Sequence, residues 1–355
     1  MVATVAVTVP LIMVLLSWSR IDRVDFDPSS AREELAGIDT TITVDEVDAI
    51  AADETIDWDT VTTLEDFTPD VPATVPGAPD STEVYPEPPP VPASPAVPDS
   101  AHEAFLIIGA DRAIGSSRRA DVIMLALVPS DGSNLILVSL QRDLYLENPC
   151  GGGWARINAA LNRCGGVSGP NLLAVVVEDF TGIPIDHFVM FDYDGFARVV
   201  DIAGGVQVCV DYPTFDTNTT PDLDLPAGCS TLGGKMALAW VRSRKTREIV
   251  DGVERLMPGV GDHTRNARQR DVVMQMLRKL SGFSNPAEIV SLANAAPGAF
   301  TLDAGLSLSG AVSIAWDLRG MAGSIRTPYI PVTQYITPEG AWVVVPTKAF
   351  YEVIG

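Results

Sequence analysis

The chain has 355 residues, 46% of them hydrophobic, enough to bury one large core or two modest ones, so any disorder must be local. A formal net charge of -22 argues against a nucleic-acid backbone or an anionic leaflet as partner, because both are held by a surplus of Lys and Arg. The charge is uneven: acidic residues dominate from Ile21 to Ser100, whereas most of the Arg falls between Gly109 and Lys279, a distribution that suits an anionic ligand.

The run from Val2 to Trp18 is uncharged and just long enough to span a hydrocarbon core as a helix. With no basic residues before it and no small-residue cleavage site, residues 1–19 read as a transmembrane signal anchor in preference to a cleaved signal peptide. Pro10 interrupts the run without forbidding a span, but Arg20 and Arg23 follow it, contrary to the positive-inside pattern for an external C-terminal domain. Residues 20–102 read as an acidic extracytoplasmic linker, proline-rich from Pro69 to Pro98, with a short acidic helix near Val44 to Ala51. Proline-rich chain is stiff and extended, so this segment is expected to hold a domain away from a surface and not to pack on it.

Order is expected near Phe105, in one domain over residues 103–355. Phe105 to Ile108, Val122 to Val128 and Leu135 to Leu140 are apolar runs bounded by turn residues and read as buried strands, the last two as a hairpin. Helical patterns at Asn158 to Asn162, Leu172 to Phe180 and Tyr193 to Ile202 alternate with strands at His187 to Phe191 and Val206 to Val210. Further helices are expected at Leu232 to Val241, Arg265 to Leu280 and around Ile289 and Ile314, with strands at Ile325 to Ile330 and Trp342 to Val345. Such alternation is the pattern of helices covering a buried sheet, the layered α/β class.

Four cysteines, Cys150, Cys164, Cys209 and Cys229, bracket short loops in consecutive pairs. Two local disulfides, Cys150 to Cys164 and Cys209 to Cys229, are the simplest framework in an oxidising compartment, and the other two pairings stay open. Zinc is the rival reading, but His102, His187 and His263 do not fall at ligand spacing near them.

Charged residues gather where the apolar runs end. Asp111 and Asp121 flank a small-residue loop, and hard oxygen ligands of this kind suit Mg²⁺, which leaves its remaining positions to water and substrate phosphates; the plain alternative is a turn cap and an ion pair with Arg119. Arg142 and Asp143 follow the strand ending at Leu140, where α/β proteins collect ligand-binding groups. Arg242, Arg244 and Lys245 lie in VRSRK, and Asp262, Arg265 and Arg268 in GDHTRNARQ. If that last stretch is helical, Arg265 and Arg268 share a face at its N-terminal end, where they oppose the helix dipole unless an anion is present. Phe191, Tyr193 and Phe196 read first as packing residues, Asn158 as a loop-fixing residue, and Arg156 as a weaker phosphate candidate.

Taken together, GADR, RRAD, SLQRDLY, RINAA, DYDGFARVVDIAGGVQV, LGGKMALAWVRSRK and GDHTRNARQ, in this order and spacing, resemble the LytR-CpsA-Psr family of bacterial cell-wall enzymes over the C-terminal two thirds of the chain. The resemblance implies a three-layer α/β/α sandwich with a central mixed sheet behind a single membrane helix. It implies Mg²⁺-dependent transfer of a phosphate-linked glycopolymer from a polyprenyl-pyrophosphate carrier onto peptidoglycan. It further implies metal ligation by Asp111 and Asp121, phosphate gripping by Arg142 beside Asp143, by Arg242 and Arg244, and by Arg265 and Arg268, and a matching acidic position at Asp262. Asp143 or Asp262 is the candidate base for the acceptor hydroxyl. A pyrophosphatase using water, and a non-catalytic polyprenyl-phosphate-binding module, are the alternatives. The chain departs from the family at Gln141, where Pro is usual, at RRADV in place of RSDT, and in a longer insert from Thr246 to Val260.

Overall fold

A computed structural model describes residues 21–37, 88–97, 102–110, 119–260, 262–280, 282, 300–321 and 324–355. The expected anchor, the short acidic helix, the helix around Ile289 and the candidate ligand Asp111 lie outside the described residues. Among the described residues no helix is long and apolar enough to cross a membrane.

The central element is a mixed sheet. In chain order its strands are β1 (Asp22–Val24), β2 (His102–Ala110), β3 (Ala120–Pro129), β4 (Ile136–Leu140), β7 (His187–Phe191) and β14 (Phe300–Asp303); in space they run β1-β14-β7-β2-β3-β4. β2 and β7 pair in parallel, as do β1 and β14, while β3 pairs antiparallel with both β2 and β4, the expected hairpin included. The apolar runs are continuous because both faces are covered, each strand sending alternate side chains to opposite sides. Ala104, Leu106 and Ile108 of β2 join Ile123, Leu125 and Leu127 of β3 in a core shared with α1 (Pro28–Ala36), α2 (Gly169–Thr181) and a 3-10 turn at Ile157–Leu161. Phe105, Ile107, Met124 and Ala126 face the other way, against Val273, Met274 and Leu277 of α5 (Asp262–Leu280) and Leu318 of α6 (Leu308–Met321).

A smaller apolar cluster sits beside this body. It joins α3 (Tyr193–Ile202), β8 (Val206–Val210), β10 (Leu223–Leu225), β11 (Gly228–Leu232), α4 (Gly234–Arg242) and Val272 of α5. β9 (Thr214–Asp216) and β10 pair with each other, and β9 continues into β12 (Arg247–Val250) and β13 (Val253–Leu256). The insert is therefore a hairpin that turns at Asp251-Gly252, both at positive φ, a turn signal that the sequence reading passed over. Hairpins β5 (Tyr145–Asn148) with β6 (Gly153–Arg156), and β15 (Val332–Ile336) with β16 (Trp342–Pro346), lie past the end of β4, and α7 (Phe350–Ile354) closes the chain against α2. Cys150 bonds Cys164 and Cys209 bonds Cys229, both as expected.

Three expectations need correction. Residues 21–37 and 88–97 are not spacer chain but parts of the domain: β1 extends the sheet, Ala31 and Leu35 are buried in the main core, and Val97 donates its N–H to the Gly182 carbonyl at 2.8 Å. The Ile325 to Ile330 run forms no strand, only a single bridge from Arg326 to Ile136, and Pro328, two residues on, has no N–H to continue the ladder. Leu232 to Val241 is two elements, broken at Gly233, since α4 starts so close to α3 that a Cβ on Gly234 would meet the Ala197 carbonyl at 1.9 Å.

Candidate active site

The end of the sheet where β2 and β7 finish, β3 begins and β4 turns into β5 collects the charged residues. The register between β2 and β3 slips between Gly109 and Ala110, a bulge of the kind found beside active sites, and Gly109 is required there because a Cβ would sit 2.9 Å from that of Val122. Asp121 follows on β3. Its Oδ1 accepts from Arg142 at 2.8 Å and its Oδ2 from the Tyr193 hydroxyl at 2.6 Å. Burial pushes the Asp121 carboxyl up, but the bonds from Tyr193 and Arg142 and the charges of Arg142 and Arg265 outweigh it and hold the group below the ordinary carboxylate range.

Each partner is positioned by its own element. Tyr193 opens α3, whose N-cap Asp192 accepts from the Gly195 N–H at 2.6 Å. Arg242 lies in the last turn of α4, where a cation suits the helix dipole, and its guanidinium sits 4.1 Å from the centre of the Tyr193 ring. Arg142 also donates from Nε to Asp143 at 3.3 Å, and the other oxygen of Asp143 meets Arg156 Nε at 3.4 Å. The Arg142 carbonyl accepts from the Asn158 backbone N–H at 3.2 Å, a main-chain bond that does not call on the asparagine side chain. Arg265, 3% exposed, reaches the same region from the first turns of α5.

Asp121, Arg142, Asp143, Arg242 and Arg265 are thus brought together. Arg244 is exposed just beyond them, and Asp262 begins α5 without a described side chain. Arg268 has other business. Its guanidinium stacks 3.7 Å from the centre of the Trp240 ring and donates to Thr246 Oγ1 at 2.9 Å, beside the Ser243 and Asp216 side chains that bond each other at 2.5 Å. Burial lowers its pKa to about 10, against the raising effect of Asp216, so it remains a cation built into the base of the insert. Tyr193 and Arg156 are the residues the sequence undervalued. The signal for Tyr193 was its place, one residue beyond the cap that ends β7.

A cluster of this composition can grip a doubly charged phosphate group, since planar guanidiniums bind its oxygens in pairs. Among the described residues no group of three or more His, Cys, Asp or Glu side chains stands ready to hold a metal ion. The ionised Asp121 nonetheless fits the sparse kind of magnesium site, in which one or two carboxylates share the ion with substrate phosphates.

A layered α/β protein with a cluster of arginines around one carboxylate at its strand ends is what the geometry defines. The model of the LytR_cpsA_psr family matches residues 90–353, and the chain belongs to that family. The probable cell wall biosynthesis protein LcpB of Corynebacterium glutamicum is 32% identical over 230 residues, covering 64% of this chain and 49% of that protein. The polyisoprenyl-teichoic acid–peptidoglycan teichoic acid transferase TagU of Oceanobacillus iheyensis is 30% identical over 183 residues, 51% of this chain and 52% of that one. The chain spans about half the length of the curated relatives it matches. Among solved structures, a LytR-Csp2A-Psr enzyme from Actinomyces oris superposes with a TM-score of 0.57 at 28% identity over 74% of this chain and 95% of that one. TagV of Bacillus subtilis gives a TM-score of 0.59 at 24% identity over 72% of this chain and 94% of that one, a likeness of fold.

Proposed function

We propose that the protein transfers a phosphate-linked glycopolymer from a polyprenyl-pyrophosphate carrier to a peptidoglycan hydroxyl, outside the cytoplasm, with residues 1–19 anchoring it in the membrane. The observation that carries the reading is the meeting of Arg142, Arg242 and Arg265 around Asp121, from four separate elements. The names of the teichoic acid transferase relatives support it.

Arg142 and Arg242 would hold the diphosphate oxygens, with Arg265 adding positive charge from beneath. An acceptor hydroxyl attacks the polymer-side phosphorus, a new P–O ester bond forms, and the phosphoanhydride P–O bond breaks, its electron pair leaving on the polyprenyl phosphate. Asp143 would take the hydroxyl proton. Asp121 and Asp111 would hold magnesium, which when bound supplies further positive charge to the phosphate oxygens. Tyr193 keeps Asp121 ionised and oriented, and its ring supports Arg242 from below.

The test incubates the protein with a radiolabelled lipid-pyrophosphate sugar and peptidoglycan, with and without Mg²⁺. Label is expected in peptidoglycan, and Arg142→Ala or Arg242→Ala should cut the rate about 100-fold with the fold intact. Undiminished transfer in both variants would end the reading. Label released as a soluble sugar phosphate would identify water as the acceptor. Asp111→Asn that abolishes turnover but keeps lipid binding would separate an enzyme from a binding module.

A further inference from the structure

One face of the β15–β16 hairpin is buried, and the other is covered at Val332 and Val344, which pack against the main core, but not at its tip. Tyr335, Val343 and Val345 pack against Val91 and Tyr145, whereas the cross-strand pair Ile336 and Trp342 faces solvent, Trp342 at 62% and Ile336 at 38% exposure. An exposed indole beside an exposed isoleucine contributes nothing to the core and is the kind of surface kept for a ligand. Its position is set by the charged site. Arg156 donates from Nη2 to the Trp342 carbonyl at 2.9 Å while its Nε lies 3.4 Å from Asp143, and the Val344 N–H bonds the Asp143 carbonyl at 3.0 Å. On the other side of the same loop, Gln141 Nε2 lies 3.4 Å from the hydroxyl of Tyr329, an aromatic residue at 49% exposure. Two exposed aromatic residues therefore bracket the stretch 141–143.

We infer that Trp342, paired across the hairpin with Ile336 and tied through its backbone carbonyl to the Arg156 that meets Asp143, is a pyranose-binding platform that seats the acceptor glycan. The inference rests on the transfer reading and extends it to the acceptor. A sugar ring has an apolar C–H face and a rim of hydroxyls. The flat indole takes the face, and the neighbouring guanidinium and carboxylate take the rim, which brings a hydroxyl to Asp143. An anionic lipid surface fits less well, because the patch is small, the Arg156 guanidinium beside it is already met by the Asp143 carboxylate and the whole chain carries a charge of -22.

The test titrates the full chain with chitotetraose, a neutral N-acetylglucosamine oligomer, by calorimetry, in parallel with phosphatidylglycerol vesicles. The parent should bind the sugar, Trp342→Ala should weaken binding at least about 10-fold, and Trp342→Phe should stay within about 3-fold. Val253→Ser, on the exposed edge of β13, should leave binding unchanged, and Trp342→Ala should raise the acceptor KM more than it lowers kcat. Should Trp342→Ala unfold, Ile336→Ser is read in the same titration and is expected to weaken binding. Absence of sugar binding by the parent, equal binding by parent and Trp342→Ala, or Trp342-dependent binding of vesicles alone would each overturn the inference. Sugar binding needs no carrier lipid, so a protein that binds chitotetraose through Trp342 yet never transfers label would sink the transfer reading and leave the platform standing.

Discussion

Two arginines three residues apart on α5 illustrate how differently one residue type can be used. Arg265 turns its charge toward Asp121, whereas Arg268 fills a polar pocket made by Trp240, Ser243, Thr246 and Met257. Removing Arg268 leaves the Thr246 hydroxyl and the Trp240 and Ser243 carbonyls without their buried donor and takes the stack from Trp240. Arg268→Ala is therefore expected to cost about 3 kcal/mol of stability, read as a lower urea midpoint, with activity lost only in proportion to unfolding. Arg142→Ala should do the reverse, changing the unfolding free energy by less than about 1 kcal/mol while turnover collapses, since its partners Asp121 and Asp143 keep access to water. The sequence showed which residue types gather near the strand ends, and so found Asp121, Arg142 and Arg242. It could not separate Arg265 from Arg268, because both share one helical face and only the elements packed against that face tell them apart. Tyr193 escaped for a similar reason: an aromatic residue at a helix start looks like packing until the carboxylate opposite its hydroxyl is known.

At the scale of elements, the segment 21–37 carries the sharpest difference between pattern and structure. β1 pairs with β14, Asp27 caps α1 through the Ser30 N–H, and Arg32 of α1 bonds Glu178 at 3.1 Å and Asp179 at 2.5 Å on α2. Ile21 and Leu35 are each 5% exposed. Deleting residues 1–37 should thus expose apolar surface on both β14 and α2 and lower the thermal midpoint by about 10 °C, a loss of about 3 kcal/mol in a domain of this size. An unchanged midpoint, measured by calorimetry, would return the segment to the role of spacer. Its acidic composition hid it, because one three-residue strand and two buried positions on a nine-residue helix make too short a pattern to stand out. β3, β4 and β7 were legible for the opposite reason. Buried on both faces, they appear as continuous apolar runs, and the turn residues at Pro129 to Gly132 mark where one ends. β12 and β13 were not, since β13 is exposed along its whole length and shows no buried alternation, and β12 takes its other partner from β9, thirty-odd residues earlier in the chain.

For the whole molecule, charge sets how stability responds to pH. A net charge of -22 repels itself, and the repulsion grows as the remaining positive groups lose protons. One group adds a local contribution of the same sign. His187, on β7, meets Asp303 of β14 at 3.1 Å and Glu103 of β2 at 3.5 Å, so its proton ties together three strands of the central sheet. Burial lowers its pKa, but the bond and charge of Asp303 and the charges of Glu103 and Asp186 outweigh burial and raise it above the ordinary 6.5. The folded protein then holds this proton more tightly than the unfolded chain, and the resulting stabilisation is complete below the unfolded pKa and lost as pH rises through the folded one. Urea midpoints should accordingly fall from about pH 6 to pH 8. Salt separates the two causes: at about 0.5 M the long-range repulsion is screened within a few ångströms, while the half-buried His187 pair is screened far less. A downward slope should persist in salt for the parent protein and flatten in His187→Gln, which cannot titrate. A slope that is identical in both proteins at high salt would assign the whole effect to net charge and leave His187 without a part in it.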